Sequence, residues 1–261
     1  MYATERQDRI AGLLAVEGRV SVVGLAETLD VTTETIRRDL DVLEQRGALR
    51  RVHGGAVPAR TVSIAEPSIT ERMTVNSDRK AAIAQRALEV ITVGFRGSLV
   101  FDAGSTTGAA ASLLAERIAT TGAQLEVVTH AVPVAHTLSL IPDIGLTVLG
   151  GQVRGLTAAA VGPATLGALD ALRPDVAFIG TNGISAGFGL STPDPAEGAV
   201  KSAIVKAARR VVAMVDSSKF GVESLVRFAA LDEIDLLVTD EQPEPALAAA
   251  LEEADVEVWI A

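Results

Sequence analysis

From residue 79 onward, stretches with helical periodicity alternate with short apolar runs. The apolar runs occupy residues 98–102, 125–129, 146–149, 176–180, 211–215, 236–239 and 256–260. The helical patterns that alternate with them lie near residues 79–91, 106–117, 132–139, 164–172, 197–208 and 245–253. Apolar strands that alternate with helices are typical of a mostly parallel sheet covered on both faces. Such sheets bind ligands at the carboxyl ends of their strands, so these ends are the first candidates for a site.

The N-terminal region has a different pattern of three short amphipathic helices followed by two short apolar stretches. Apolar side chains recur at helical spacing in three segments, which are residues 4–16, 25–29 and 33–46. The turn between the second and third helices is short enough for a helix-turn-helix, and Thr32 is placed to cap the third helix. Residues 49–53 and 56–57 flank a Gly-Gly turn and are expected to form a two-stranded wing.

Basic side chains are placed where this small domain could meet a polyanion. Residues 1–60 hold nine Arg, no Lys and nine acidic residues, so the rest of the chain carries the whole net charge of −10. From the end of the third helix onward, four arginines occur with no acidic residue between them: Arg46, Arg50, Arg51 and Arg60. Arg37 and Arg38, on the polar side of the third helix, could reach guanine edges or phosphates. The alternatives are a solvated loop and a three-helix bundle with a polar outer face.

The segments 31–40 and 47–56 closely resemble the N-terminal domain of the DeoR family of bacterial transcriptional regulators. The family usually has Ser where this chain has Thr32, and either hydroxyl can cap a helix. The resemblance implies a winged helix-turn-helix over residues 1–57 that binds double-stranded operator DNA. The residues expected to contact DNA are Thr33, Thr35, Arg37, Arg38, Arg50, Arg51 and His53. Residues 58–78 are rich in Pro and Ser and have little periodicity, which predicts a linker.

The apolar run at 98–102 breaks into glycine and hydroxyl residues, Asp102-Ala-Gly-Ser-Thr-Thr-Gly108, before a helix rich in Ala and Leu. Backbone N–H groups at the start of that helix favour an anion, and the hydroxyls of Ser105, Thr106 and Thr107 can donate hydrogen bonds to phosphate. The segment matches neither the dinucleotide nor the ATP-binding glycine pattern. The alternative is an ordinary strand–turn–helix with a capped end.

Two further strand ends carry polar side chains. Residues 178–184 lead through a glycine-containing loop to Glu197 and Lys201, which could simply form an ion pair four residues apart on a helix. Residues 216–221 place Lys219 just past another strand. The chain has only four Lys, and two of them lie beside strand-end loops, where an ammonium would meet an anion.

Together these segments resemble the effector-binding domain of the same family, which is similar to ribose-5-phosphate isomerase and glucosamine-6-phosphate deaminase in fold. The resemblance implies that residues 79–261 form an effector-binding and oligomerisation domain, in which the 104–107 loop holds the phosphate of a sugar. The residues expected to form this site are Asp102, Gly104, Ser105, Thr106, Thr107, Thr129, Asn182, Glu197, Lys201 and Lys219. Many relatives have Asn where this chain has His130. The 187–195 and 216–221 segments look most like those of fructose-operon or general sugar-phosphotransferase regulators.

The composition excludes several other classes of protein. The chain has no cysteine, so it has no disulfide framework or thiolate metal site, and three histidines leave little for zinc. We expect no metal and no cofactor. No run of 18 apolar residues and no signal-peptide pattern occurs, which favours a soluble cytoplasmic protein with no membrane partner.

Three functions are conceivable for a chain with these residues. An isomerase or deaminase with an added DNA-binding domain needs a carboxylate base, and the chain places Asn182 where related isomerases carry Asp, although Glu197 is still available. An architectural DNA protein would spread basic surface widely, unlike this acidic body. We therefore expect a non-enzymatic repressor, acting as a homodimer or homotetramer, that a phosphorylated sugar releases from DNA.

Overall fold

The computed structural model describes residues 3–17, 20–45, 48–52, 54–58, 66–142 and 144–261. Its internal contacts divide the chain into two compact units, Met1–Ala65 and Glu66–Ala261. Among the helices within those ranges, none combines the length and the apolar character needed to cross a bilayer.

The smaller unit is a winged helix-turn-helix. Its elements are α1 (Ala3–Glu17), β1 (Val20–Ser21), α2 (Val22–Leu29), α3 (Thr33–Gln45), β2 (Leu49–Val52) and β3 (Gly55–Pro58). The strands form an antiparallel sheet in the order β1-β3-β2. The side chains of Ile10, Leu25, Ile36 and Leu40 are buried between the helices. The three predicted helices and the predicted wing are confirmed.

The turn between α2 and α3 has the expected capping geometry. Asp30 ends α2 in the left-handed region, at φ 51°. The N–H of Thr35 donates to the Thr32 hydroxyl at 3.2 Å, so Thr32 caps α3 as predicted. Beneath α3, the buried Asp39 carboxylate accepts from Arg6 Nε at 2.5 Å and from Gln7 Nε2 at 3.0 Å, which fixes α1 against α3.

The larger unit contains a seven-stranded parallel sheet with helices on both faces, together with two smaller sheets, β7-β8 and β10-β11-β13. The strands of the whole unit are β4 (Arg96–Phe101), β5 (Gln124–Thr129), β6 (Gly145–Val148), β7 (Gln152–Arg154), β8 (Ala159–Val161), β9 (Val176–Gly180), β10 (Gly183–Ser185), β11 (Gly189–Thr192), β12 (Arg210–Met214), β13 (Val226–Ala229), β14 (Leu236–Thr239) and β15 (Glu257–Ile260). Its helices are α4 (Ile69–Thr74), α5 (Ser77–Ala87), α6 (Ser105–Thr121), α7 (Val132–Leu138), α8 (Pro163–Asp170), α9 (Pro195–Ala207) and α10 (Pro245–Glu253).

The main sheet has the strand order β15-β14-β12-β9-β4-β5-β6, and every neighbouring pair in it is parallel. The chain runs outward from β4 to β6 in one direction and outward from β9 to β15 in the other. The order therefore reverses between β4 and β9, where a parallel sheet opens a crevice for ligands. The seven predicted strands and the fold class are confirmed.

Alternation along each strand places side chains in two cores, one on each face of the sheet. On one face, Leu99 and Phe101 pack with helices α5, α6 and α7, and the Phe101 ring stacks on Phe178 with centroids 4.9 Å apart. On the other face, Val100 and Ile179 pack with α8, α9 and α10. Because both faces of the central strands are covered, those strands are largely apolar, which is why they are recognisable in the sequence.

The structure differs from the expectation of a linker over residues 58–78. Residues 59–65 lie outside the described residues, but from Glu66 onward the chain belongs to the larger unit. Ser68 and Glu71 form a capping box that starts α4, and the Ile69 N–H donates to the Leu156 carbonyl at 2.9 Å. These contacts hold residues 66–76 on the body of the larger unit.

Candidate functional site

A polar cleft lies at the carboxyl ends of β4, β9 and β12, where the strand order reverses. The cleft is open to solvent, and its cavity volume is about 40 Å³. The residues that line it are Arg72, Lys80, Ala103, Gly104, Ser105, Thr106, Gly180, Thr181, Asn182, Glu197, Lys201, Met214, Val215, Asp216 and Lys219. Seven of the ten predicted effector-site residues are therefore brought together: Gly104, Ser105, Thr106, Asn182, Glu197, Lys201 and Lys219.

One wall of the cleft is the N-terminus of α6. Gly104 precedes the helix, and Ser105 and Thr106 form its first turn. The 17-residue helix directs unpaired backbone N–H groups and the positive end of its dipole toward this wall. The wall therefore has the polarity that an anion requires, with two hydroxyls beside it.

Three of the predicted residues lie behind the cleft wall rather than along it. The Thr107 hydroxyl is buried and donates to the Gly104 carbonyl at 2.9 Å. The Thr129 hydroxyl donates to the Phe101 carbonyl at 2.8 Å and accepts from the Ala131 N–H. Asp102 is fully buried. The polar atoms of these three residues are used to shape the loops, and their expected contact with an effector stays a prediction.

Asp102 anchors the floor of the cleft. Its carboxylate accepts from Lys201 Nζ and from the Gly180 N–H, the latter at 3.1 Å. Burial alone would raise the pKa of Asp102, but the charge of Lys201, together with the charge and hydrogen bond of His130 when its Nε2 carries a proton, outweighs burial and lowers that pKa to about 2. Asp102 therefore stays ionised and holds the lysine.

Lys201 is itself committed to this floor. It is 3% exposed and also donates to the Gly180 carbonyl at 2.9 Å, with its ammonium 5.4 Å from the centre of the Phe228 ring. The spacing of Glu197 and Lys201 on α9 suggested an ion pair, but each is paired elsewhere. This alternative was wrong because β4 and β7 supply closer partners than the helix itself.

Glu197 binds Arg154 rather than Lys201. Its carboxylate accepts from the Arg154 guanidinium at 3.0 Å and from the Thr157 hydroxyl. Arg154 reaches two more carboxylates, Asp194 at 3.2 Å and Glu66 at 2.6 Å. Burial alone would lower the pKa of Arg154, but the hydrogen bonds and charges of Glu66 and Glu197 outweigh it and raise that pKa. One guanidinium on the β7–β8 hairpin thus ties α9 to the segment in front of α4.

The opposite side of the cleft comes from residues 66–80. Arg72 on α4 lines the cleft and pairs with Glu66 at 3.2 Å. Lys80 on α5 is buried and donates to the carbonyls of Arg72 and Val75 at 2.5 and 2.6 Å. Burial lowers the pKa of Lys80, the nearby charges of Lys219 and Arg72 act in the same direction, and Asp216 acts against them.

Cationic side chains outnumber carboxylates along the lining itself. Arg72, Lys80, Lys201 and Lys219 share it with Glu197 and Asp216, while two further carboxylates, Glu66 and Asp102, lie behind it and pair with Arg72 and Lys201. Asn182 adds an amide whose oxygen accepts from the Thr192 hydroxyl at 3.1 Å. In a chain with a net charge of −10, this local excess and the α6 N-terminus give the cleft the electrostatics of an anion site.

The smaller unit presents arginines on α3. Arg37 and Arg38 are 54% and 79% exposed at the side chain, and each lies within 4 Å of Glu34. Exposed ion pairs of this kind are weak, so both guanidinia are available to a phosphate or a base edge. Thr33 is exposed, whereas Thr35 is partly buried, with its N–H and hydroxyl both engaged by Thr32.

The wing residues are less completely described. The Arg51 guanidinium binds Asp41, and its N–H donates to Glu44 at 2.7 Å, so it connects the wing to α3. The side chain of Arg50 lies outside the described part of the structure, as do Arg46, His53 and Arg60. Their expected contacts with DNA stay predictions.

Sequence reasoning missed Arg72, Lys80, Arg154 and Asp216 as parts of the site or its support. For the first two a signal was present, since Ser68 three residues before Glu71 is the spacing of a capping box. Arg154 has no local signal, because its partners lie far away in the sequence.

Comparison with known families identifies both units. Residues 6–62 match the DeoR-like helix-turn-helix domain. Residues 75–241 match the DeoR C terminal sensor domain. The second match covers more than half of the chain and includes most of the cleft.

Similar proteins agree with these matches. The chain is 38% identical over 240 residues to the HTH-type transcriptional regulator GlpR of Haloferax volcanii, covering 92% of this chain and 91% of that protein. It is 30% identical to the glycerol-3-phosphate regulon repressor of Escherichia coli K12, covering 99% of each. Ribose 5-phosphate isomerase A from Methanocaldococcus jannaschii is 18% identical with a TM-score of 0.41, covering 56% of this chain and 55% of that one. From the two domain matches and the near full-length relatives, the chain belongs to the DeoR family of transcriptional regulators.

Proposed function

We propose that this chain is a repressor of a sugar-metabolism operon, and that it leaves double-stranded operator DNA when a phosphorylated sugar or polyol binds in the cleft. The observation that carries this proposal is the excess of cationic side chains around the N-terminus of α6. The repressor direction is supported by the E. coli relative, whose name is glycerol-3-phosphate regulon repressor.

The cleft suits a phosphate at one end and hydroxyls at the other. Backbone N–H groups of α6 with Ser105 and Thr106 provide hydrogen-bond donors, and Lys80 and Lys219 supply positive charge to the same cleft. Asn182 and Glu197 provide the oxygen and amide groups that sugar or polyol hydroxyls need. The particular sugar, including the fructose-type expectation, is part of the proposal.

DNA binding is assigned to α3 and the wing. In this motif the recognition helix enters the major groove with its N-terminal residues toward the bases, which is where Thr33, Arg37 and Arg38 lie. A homodimer or homotetramer would present such helices to repeated half-sites. The effector would shift the population away from the DNA-competent arrangement, typically by about 1–3 kcal/mol.

A catalytic role is not proposed, for two reasons. Aldose–ketose isomerisation requires a carboxylate that takes a proton from a sugar carbon, and Asn182 has an amide in the place where the related isomerases are expected to carry that group. Glu197 Oε1 already accepts hydrogen bonds from Arg154 and Thr157, so this carboxylate is part of the support of the cleft.

The proposal is tested by fluorescence anisotropy on a duplex that the protein selects from a random pool. Hexose 1- and 6-phosphates and glycerol 3-phosphate are titrated in, with the unphosphorylated compounds as controls. We expect one phosphorylated compound to release the DNA while its unphosphorylated form does not. Release by the unphosphorylated sugar at the same concentration, or by no compound of this class, would contradict the proposal.

Two variants separate the assigned surfaces. Thr106→Ala removes one hydroxyl from the cleft, and we expect about a 10–100-fold weaker effector response, since a hydrogen bond to a charged group contributes about 1.5–3 kcal/mol. Thr120→Ala, the same change at the exposed far end of α6, is the control. Arg38→Ala should weaken DNA binding about 5–100-fold, whereas the exposed Arg209→Ala should not.

A further inference from the structure

One ring nitrogen of His130, Nε2, lies between a buried hydrogen-bond donor and a buried hydrogen-bond acceptor. His130 follows β5 and is 2% exposed. Its Nε2 lies 3.2 Å from the Ala103 N–H, which can only donate, and 3.2 Å from Asp102 Oδ1, which only accepts when ionised. Its Nδ1 lies 2.8 Å from the Ala160 carbonyl.

The Ala160 contact fixes which nitrogen carries a hydrogen. A carbonyl oxygen can only accept, so Nδ1 must be the donor. In the neutral ring Nε2 then has only a lone pair, which suits the Ala103 N–H and leaves Asp102 Oδ1 facing another lone pair. In the protonated ring Nε2–H donates to Asp102, and the Ala103 N–H loses its acceptor. Either way, one buried polar atom, Asp102 Oδ1 or the Ala103 N–H, loses its hydrogen bond to His130.

The group that changes partner lies at the anion site. Ala103 lines the cleft and directly precedes Gly104 at the start of α6. An anion seated at the α6 N-terminus could accept from the Ala103 N–H, which removes the penalty of the protonated state. The added positive charge of the imidazolium, close behind the wall, would in turn stabilise the anion.

We propose that His130 is a positioning residue that couples proton uptake from solvent to the binding of an anion in the cleft. The inference rests on the proposed function. The charged groups around His130 are Asp102 at the end of β4 and, on the far side of that carboxylate, Lys201 on α9; β8 contributes the Ala160 carbonyl. Because coupling is reciprocal, anion affinity must rise as the pH falls and His130 becomes protonated.

The matched variant is His130→Gln, whose side-chain amide reaches the position of Nε2. An amide carries a donor and an acceptor at the same time, so it could satisfy both Asp102 and the Ala103 N–H without binding a proton. Wild type and variant should therefore both bind the anion, and only wild type should do so with the additional dependence on pH. Lys80 and Lys219 also line the cleft, but any titration of theirs would be common to both proteins.

The test is calorimetry of the full chain with inorganic sulfate, which is a dianion throughout this pH range, unlike phosphate with a second pKa near 6. Measurement at pH 6–8 in buffers of different ionisation enthalpy gives the protons taken up. We expect wild-type affinity for sulfate to fall as the pH rises, by up to about tenfold per pH unit, which is the limit for one linked proton. The pH dependence of His130→Gln should be clearly shallower. Equal slopes in the two proteins would overturn the coupling.

A second measurement keeps the inference testable if the variant folds poorly. The chain has three histidines, so the ring ¹⁵N signals of the wild-type protein can be followed individually. Sulfate at pH 7 should shift the His130 signals toward those of an imidazolium, and unchanged signals on a saturated protein would overturn the inference. No sulfate binding by either protein would instead contradict the proposed anion cleft.

Discussion

Replacing Lys201 with Met would leave the Asp102 carboxylate buried without its ammonium partner. Asp102 is fully buried and Lys201 is 3% exposed, so water cannot take the place of either group. Removing one member of a buried ion pair costs about 3–5 kcal/mol, because the remaining charge is desolvated and unpaired. For a unit of this size about 1 kcal/mol lowers Tm by about 2–4 °C, so we expect a fall of roughly 6–20 °C.

The assay can be confined to the larger unit. Trp259 is the only tryptophan of the chain and lies on β15, so its fluorescence reports the unfolding of the parallel sheet. Lys206→Met, at an exposed position on the same helix, is the matched control and should stay within about 0.5 kcal/mol of wild type. The double variant Asp102→Asn, Lys201→Met should recover much of the lost stability, because no unpaired charge remains.

Two results would refute this reasoning. If Lys201→Met melts within about 2 °C of wild type, the pair is not desolvated as its burial indicates. If the double variant melts as low as Lys201→Met, the loss comes from packing of the lysine stem or from its bond to the Gly180 carbonyl, not from an unpaired carboxylate.

Three further outcomes are expected. The pKa of Asp102 in the folded state is lowered to about 2, so its ionisation adds stability that is fully present above about pH 4 and is lost as the pH falls from 4 to 2. In acid titrations followed by Trp259 fluorescence, the free energy of unfolding should therefore fall by about 2 kcal/mol less in Asp102→Asn than in wild type. Ser68→Ala removes the α4 cap, at a cost of about 1 kcal/mol. The variant should bind the effector more weakly, because α4 carries Arg72, while its DNA affinity without effector stays constant. An effector affinity equal to that of wild type would show that α4 does not hold the cleft wall. The purified protein should interconvert none of the pentose or hexose phosphates in a coupled assay, and measurable turnover would favour an isomerase.

The parallel sheet was predictable because its strands are buried on both faces and carry uninterrupted apolar runs. The cleft was predictable where it depends on strand ends, as at Ser105, Asn182 and Lys219, since a parallel sheet gathers those ends at one edge. Which hydroxyls face a ligand was less predictable: Thr106 lines the cleft and its neighbour Thr107 does not, because that choice depends on how the loop turns at Gly104.

Long-range partners account for most of what the sequence did not reveal. The spacing of Glu197 and Lys201 suggested a local pair, yet Arg154 and Asp102 are closer in space and satisfy each charge more completely. Residues 66–78 have the Pro and Ser content of a linker, and this composition gave no sign that Arg72 lines the cleft. A lone histidine in an apolar loop gave no indication that it lies between a carboxylate and a turn N–H.

The ion pairs of Glu66 with Arg72 and Arg154 determine where the larger unit can be cut from the chain for separate study. A truncated fragment that starts at residue 75, where the sensor-domain match begins, would lose Glu66 and Arg72 together. Arg154 would then be short of one carboxylate, and the cavity would be open along one side. Such a fragment would still form its sheet and would report a misleadingly poor affinity. Excision upstream of residue 66 retains every side chain that lines the cleft.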